Sequence, residues 1–372
     1  MYFSSLQILR GFAAIAVMLY HVQCYLPVVV GGTITRAGDT PTIFRFIPGG
    51  EFSMGASFFF VLSGFLMAYL IDIEYKNFLL RRLMRIYPAF ILAVLVQVCI
   101  QCIFEKAAVP SDLWQTLSLL PLNTLAHRIP SPLGIEWTLI YEIFFYFVCA
   151  IFTLKVLRPW FSAFLLLWAA VIILAYQINI VAVNLCMENK TLLVPSWQWI
   201  FLSPKNLLFI GGGVGYYFLL KCMPKTNWVF LLVCVLISII TFKYSFHMGP
   251  HTLYGTLVMA VSFVVLIVGV ANREKNSTQQ TLSKNPVVRL FEKLGDYSYA
   301  LYLVHVTVIV GIIKLTNFLW AAKGLALLLQ GILALTVSLI CGWYYGKIDV
   351  WIHCYFRKIF SGSKCVVAKM PD

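Results

Sequence analysis

Residues 6–22 read LQILRGFAAIAVMLYHV, an apolar run that carries Arg10 and His21 inside it. The two lie eleven residues apart. At 100° per residue, eleven steps return to within about 20° of the same helix face, with a rise of ~16–17 Å. A helix in a bilayer rarely keeps a cation or an imidazole without a use, because each must be desolvated or given a partner. One stripe with an arginine at a membrane edge and a histidine deep inside reads as two ends of an elongated ligand site. The competing reading is a snorkelling arginine and a histidine hydrogen-bonded to a neighbouring helix.

The rest of the chain has the same character. Of its 372 residues 61% are hydrophobic and 11% charged, and the mean hydropathy is +0.88. This composition predicts an all-α polytopic membrane protein. Apolar spans of about twenty residues fall at 6–26, 53–72, 83–104, 133–154, 159–178, 201–220, 226–243, 252–271, 296–318 and 324–346, about ten transmembrane helices in all. The first span has neither a basic leader nor a small-residue cleavage site, so it is expected to be retained rather than removed as a signal peptide. Residues 1–346 form one expected transmembrane domain, and 347–372 a basic cytoplasmic tail.

The net charge of +14 invites a nucleic-acid reading, but no basic run interleaves with aromatics on a soluble unit, and no nucleic acid is expected as a partner. The charges report topology instead. With the N-terminus inside, nineteen of the 28 Lys and Arg fall on the inner side, which predicts both ends in the cytoplasm. It also leaves a face attractive to anionic lipids and anionic ligands. On that side, NPVVRLFEKLG (285–295) has a capping Asn285, Pro286 at the first helical position and apolar residues at helical spacing. It predicts a short amphipathic helix on the membrane surface, stopped by Gly295.

Two motifs that invite chemistry are better read as packing. GGGVG (211–215) lacks the Lys-Ser/Thr of a phosphate loop and predicts close helix contact through Gly211 and Gly215. Cys99 and Cys102 have CxxC spacing but sit mid-span with no second cysteine pair, so no metal is expected.

Four further stretches carry polar groups into apolar spans. SFFFVLSGFLMAYL (57–70) holds Ser57 and Ser63. FLLRRLMRIYPAF (78–90) puts Arg82 and Arg85 on one face. LGIEWTLIYEIFFYF (133–147) buries Glu142, where a carboxylate is costly unless paired. GDYSYALYLVHV (295–306) places His305 one turn from Tyr302.

These stretches, with the first helix, resemble in order the motifs of the acyltransferase 3 family of membrane O-acyltransferases. They are LRGxAAxxVxxYH, FFVLSGF, RRxxRIYP, WxLxxE followed by FY, and SYxLYLxH. The likeness is greatest to the branch that acetylates exopolysaccharide and lipopolysaccharide. It runs from residue 6 to about 306. The resemblance implies transfer of an acyl group, usually acetyl, from cytoplasmic acyl-CoA to a hydroxyl across the membrane of a bacterial cell. Arg10, Arg82 and Arg85 would hold the CoA phosphates and His21 would be the catalytic residue. Arginines suit that task by staying charged and offering paired donors.

One departure stands out: where many members read GVDxFF this chain reads GASFFF, with Ser57 in place of the acid. Glu142 or Glu51 is then the expected carboxylate partner of His21, with Ser63, Tyr302 and His305 in support. The expected partners are acetyl-CoA as donor, a glycan or lipid-linked glycan as acceptor, and membrane lipids. Direct transfer, a covalent acyl-imidazole and a homo-oligomer all stay open. A transporter or flippase for a lipid-linked glycan is the rival reading. Its marks, an internal repeat and paired broken helices, are not found in the sequence.

Overall fold

The computed structural model describes residues 3–29, 54–73, 77–104, 106–122, 131–178, 197, 199–224, 227–249, 252–274, 285–319 and 325–361. Every long element among them is a helix, as a bilayer demands of a chain that cannot leave backbone groups unpaired in hydrocarbon. In chain order the helices are α1 (Ser4–Val29), α2 (Gly55–Asp72), α3 (Phe78–Phe104), the short α4 (Leu113–Ser118), α5 (Glu136–Ile151), α6 (Phe161–Gln177), α7 (Asn206–Val214), α8 (Trp228–His247), α9 (Leu253–Glu274), α10 (Pro286–Asp296), α11 (Ser298–Leu319) and α12 (Leu325–Ser361). Each of the ten expected spans holds one of them. Eight stretches are long and apolar enough to cross a membrane. The two shorter helices are α5 and α7, and α7 runs on as a π-helical turn over Gly215–Leu220.

The middle of the bundle is α2, packed against α5, α7 and α9. Phe60 of α2 and Phe145 of α5 stack on Phe209 of α7, with centroids 4.5 and 4.6 Å apart. Lipid supplies little hydrophobic drive between helices, so contact depends on how near the backbones can come. Here they touch: a Cβ on Gly212 would lie 1.9 Å from the Val61 carbonyl oxygen, and one on Gly64 1.9 Å from that of Phe209. The Gly211–Gly215 cluster thus packs on two sides. Gly212 meets α2, while Gly211 and Gly215 face Ala260 and Val264 of α9.

Two expectations about the chain's second half are corrected. Helix α10 begins as read, with the Asn285 side chain accepting from the Val287 amide at 2.9 Å. It runs through Gly295 to Asp296, however. Gly295 does not stop the helix; it lets α10 lie on α1, since a Cβ there would sit 1.9 Å from the Gln7 carbonyl. The last span does not end at 346 either: α12 continues unbroken to Ser361. The part read as tail therefore starts as helix, with His353 half-buried in it.

Gly212→Leu is expected to cost about 3 kcal/mol or more, because the opposing atoms are backbone and cannot yield. Gly311→Leu, with nothing within 4 Å of the added carbon, should stay within about 0.5 kcal/mol. Thermal unfolding of the purified variants in one detergent measures both.

Candidate functional site

Helices α1, α2, α3, α5 and α11 enclose a cleft of about 880 Å³, its open mouth included. Arg10, Arg82 and Arg85 stand at one end of it, with Tyr146, Ser298 and Tyr299. Ala56, Phe59, Thr138 and Tyr302 close the other. Leu62, Leu66, Met67, Ile86 and Leu139 line the apolar stretch between. The three arginines expected to act together are therefore brought together, from two helices.

Their surroundings differ. Arg85 pairs with Asp349 of α12 at 2.8 Å and lies over the Tyr299 ring. Arg10 Nη1 donates to Gln7 Oε1 at 3.3 Å. Arg82 lies over the Tyr146 ring at 6.0 Å and forms no hydrogen bond or ion pair with a described residue, its Nε buried and unsatisfied. Asp296, at the end of α10, adds a carboxylate nearby. Burial pushes its pKa up, while the charges of Arg10 and Arg85 pull it down.

Glu142 also lines the cleft. It accepts from the Tyr146 hydroxyl one turn on and from Ser63 Oγ at 3.4 Å. No contact joins it to His21. Ser57, which stands where the acid was expected, only points its hydroxyl back at the Met54 sulfur, 3.9 Å away. Glu51 lies outside the described residues.

His21 has a different partner. His305 Nε2 is 3.2 Å from His21 Nδ1, and the rings meet edge to face with centroids 4.9 Å apart. The hydrogen bonds settle both tautomers. His305 Nδ1 lies 2.8 Å from the Tyr302 carbonyl and His21 Nδ1 2.9 Å from the Val17 carbonyl. A carbonyl oxygen only accepts, so both Nδ1 atoms carry hydrogen. His305 Nε2 is then a bare acceptor and shares the His21 Nδ1–H with Val17. What remains unused is the lone pair on His21 Nε2, the feature a general base requires.

Tyr302 joins the two halves of the site. Its ring is 5.6 Å from that of His305 and 6.3 Å from that of Phe59. The Thr138 hydroxyl donates to the Ile135 carbonyl at 2.9 Å, so Tyr302 donates to Thr138 Oγ1, also at 2.9 Å. That bond ties α11 to α5 across the end of the cleft, and the histidine pair lies one turn beyond it. Of the stripe read on α1, Arg10 lines the cleft, while His21 lies off its Tyr302 end against His305. Asp349 was missed by the sequence reading because it falls in the expected tail.

Among the described residues no group of three or more His, Cys, Asp or Glu could hold a metal ion. Comparison with curated proteins and with solved structures returns no match for this chain. Residues 3–347 match the acyltransferase-3 family, described as an acyltransferase domain. With eight stretches among its described residues long and apolar enough to cross a membrane, the chain is a multi-pass membrane protein that belongs to the acyltransferase-3 family.

Proposed function

We propose that this acyltransferase carries an acetyl group from acyl-CoA, bound from the cytoplasm, to a sugar hydroxyl of a cell-surface glycan or its lipid-linked precursor in the bacterial inner membrane. One observation carries the reading: a single cleft has three guanidinium groups at one end and, one turn past the other, a neutral imidazole pair with a free lone pair. The distance supports it, since Arg10 and His21 are ~16–17 Å apart along α1, a span that suits a pantetheine arm. Permanent cations at the mouth would take the phosphates, and the apolar middle would take the arm.

In this mechanism the acceptor oxygen attacks the thioester carbonyl while His21 Nε2 takes its proton. The carbon–sulfur bond breaks, and the proton passes to the departing thiolate. His305 serves as the second imidazole. Its Nε2 accepts the His21 Nδ1–H bond that strengthens as His21 becomes imidazolium, the part otherwise expected of a carboxylate. Glu142 then has its place at the other end, as a counter-charge among the arginines. Both ends of the chain lie in the cytoplasm in this reading, with Arg10, Arg82 and Arg85 at the inner face.

Three measurements test it. His21→Gln should leave acetyl-CoA affinity and thermal stability near wild type while glycan acetylation falls by roughly 100- to 10,000-fold. His305→Gln should fall between the two. Acetylation at near wild-type rate in His21→Gln places the base elsewhere. Changing Arg82 and Arg85 together to Gln should weaken acetyl-CoA binding by about tenfold or more, with a shallower salt dependence, as read by calorimetry. Reporter fusions after residues 40 and 190 should report outside, and those after 280 and 370 inside; an outside signal from the last overturns the orientation.

A further inference from the structure

Arg82 and Arg85 of RRLMR (81–85) look equivalent in sequence, but of these two only Arg85 has a carboxylate of a described residue against it. Asp349 is 2% exposed and sits 2.8 Å from Arg85 Nη1. It comes from α12, two residues past the end of the family match at 347. The surrounding contacts fix it there. The Tyr345 hydroxyl, one turn earlier on α12, donates to the Ala89 carbonyl of α3 at 2.6 Å, and the Tyr299 hydroxyl donates to the Ile86 carbonyl at 2.8 Å. Gly346 lets α12 close onto the junction of α10 and α11, where an added Cβ would lie 2.5 Å from the Tyr297 ring.

A carboxylate in this place has two opposite effects on an anion that enters the cleft. It orients the Arg85 guanidinium, which favours binding. It also cancels the Arg85 charge and repels the anion, which opposes binding. Arginine has five N–H donors in a rigid fork, and Asp349 engages only Nη1, so orientation gains little from a full negative charge. Coulomb repulsion between like charges some 7 Å apart at an effective dielectric of about 20 amounts to well over a tenfold change in affinity before screening by salt. Repulsion wins.

We infer that Asp349 is a counter-charge that holds donor affinity down by neutralising Arg85, so that Arg10 and Arg82 supply the net attraction for phosphate. The inference rests on the acyl-CoA reading of the cleft and gives that reading a missing property. Acyl-CoA and free CoA share their phosphates, so phosphate contacts bind substrate and product alike and add nothing to the chemical step. Without a carboxylate against it, Arg85 would add its full charge in a low-dielectric wall and help retain the product. A buried aspartate beside it lets the product leave.

The test uses the full chain in nanodiscs, with free CoA and inorganic pyrophosphate as calorimetric probes. Asp349→Asn keeps an acceptor for Arg85 Nη1 and removes only the charge. CoA affinity should rise about tenfold, with a steeper salt dependence, and kcat should fall as product release slows. A structural role alone would not tighten binding. A second variant covers a failure of the first to fold. Arg85→Gln strands the aspartate and should bind CoA more weakly than Arg85→Gln/Asp349→Asn. Where the wild type binds CoA, unchanged or weaker CoA binding in Asp349→Asn, or a double variant no better than Arg85→Gln, overturns the inference. If wild type binds pyrophosphate, and Asp349→Asn binds it more tightly, while neither binds CoA, the counter-charge stands and the acyl-CoA reading falls.

Discussion

Polar side chains that enter a bilayer must find their partners inside the protein, and in this chain that requirement decides which helices meet. Arg85 can be buried on α3 because Asp349 of α12 lies against it. His305, fully buried on α11, is satisfied by its own helix through the Tyr302 carbonyl and by His21 of α1. Thr138 of α5 takes the Tyr302 hydroxyl. In lipid these contacts have no water to compete with and cost much to break, so they act as register pins on helices whose outer faces are interchangeable apolar surface. Helix α8, almost wholly exposed along one side with Val229, Leu232, Leu236 and Ile240, needs no such pin. Its contribution is a Ser238–Ser262 contact and packing against α9.

Much of the fold was legible because hydrophobic length is read one segment at a time. Helix α2 and the stripe from Arg10 to His21 depend only on local spacing, and so does the Asn285–Pro286 start of α10. What escaped depends on partners far apart in sequence. Gly295 looks like a helix stop and serves as a seat for α1, since the letter glycine does not say whether it is needed for a turn or for closeness. The histidine pair joins residues 284 positions apart. Nothing in either motif announces the other, and a carboxylate was the natural expectation for the base's partner. Asp349 was hidden for a simpler reason: a basic, moderately polar run after the last apolar span reads as tail, although α12 keeps its helical register to Ser361.

The histidine pair also shows why imidazole can stand where a carboxylate was expected. A buried carboxylate beside His21 would require its own desolvation and would hold the pair charged in the resting state. Two δ-tautomer imidazoles are neutral, each anchored by a backbone carbonyl, and cost little to bury. Charge develops only when His21 Nε2 receives a proton. The hydrogen on Nδ1 then lies between two nitrogens 3.2 Å apart, so the new charge can be shared without any heavy atom moving.

The separation of charge from base along the cleft follows from the same economy of burial. Permanent cations must stay near an aqueous edge or have counter-charges, which here are Glu142, Asp296 and Asp349 around Arg10, Arg82 and Arg85. A base that must be neutral at rest has no such need and can sit deep. An acyl donor with a polar head and a long, thin, nearly apolar arm is the kind of molecule that spans such a gradient, head at the arginines and thioester toward the histidines. Tyr302, hydrogen-bonded to Thr138, stands between the arginines and the histidines.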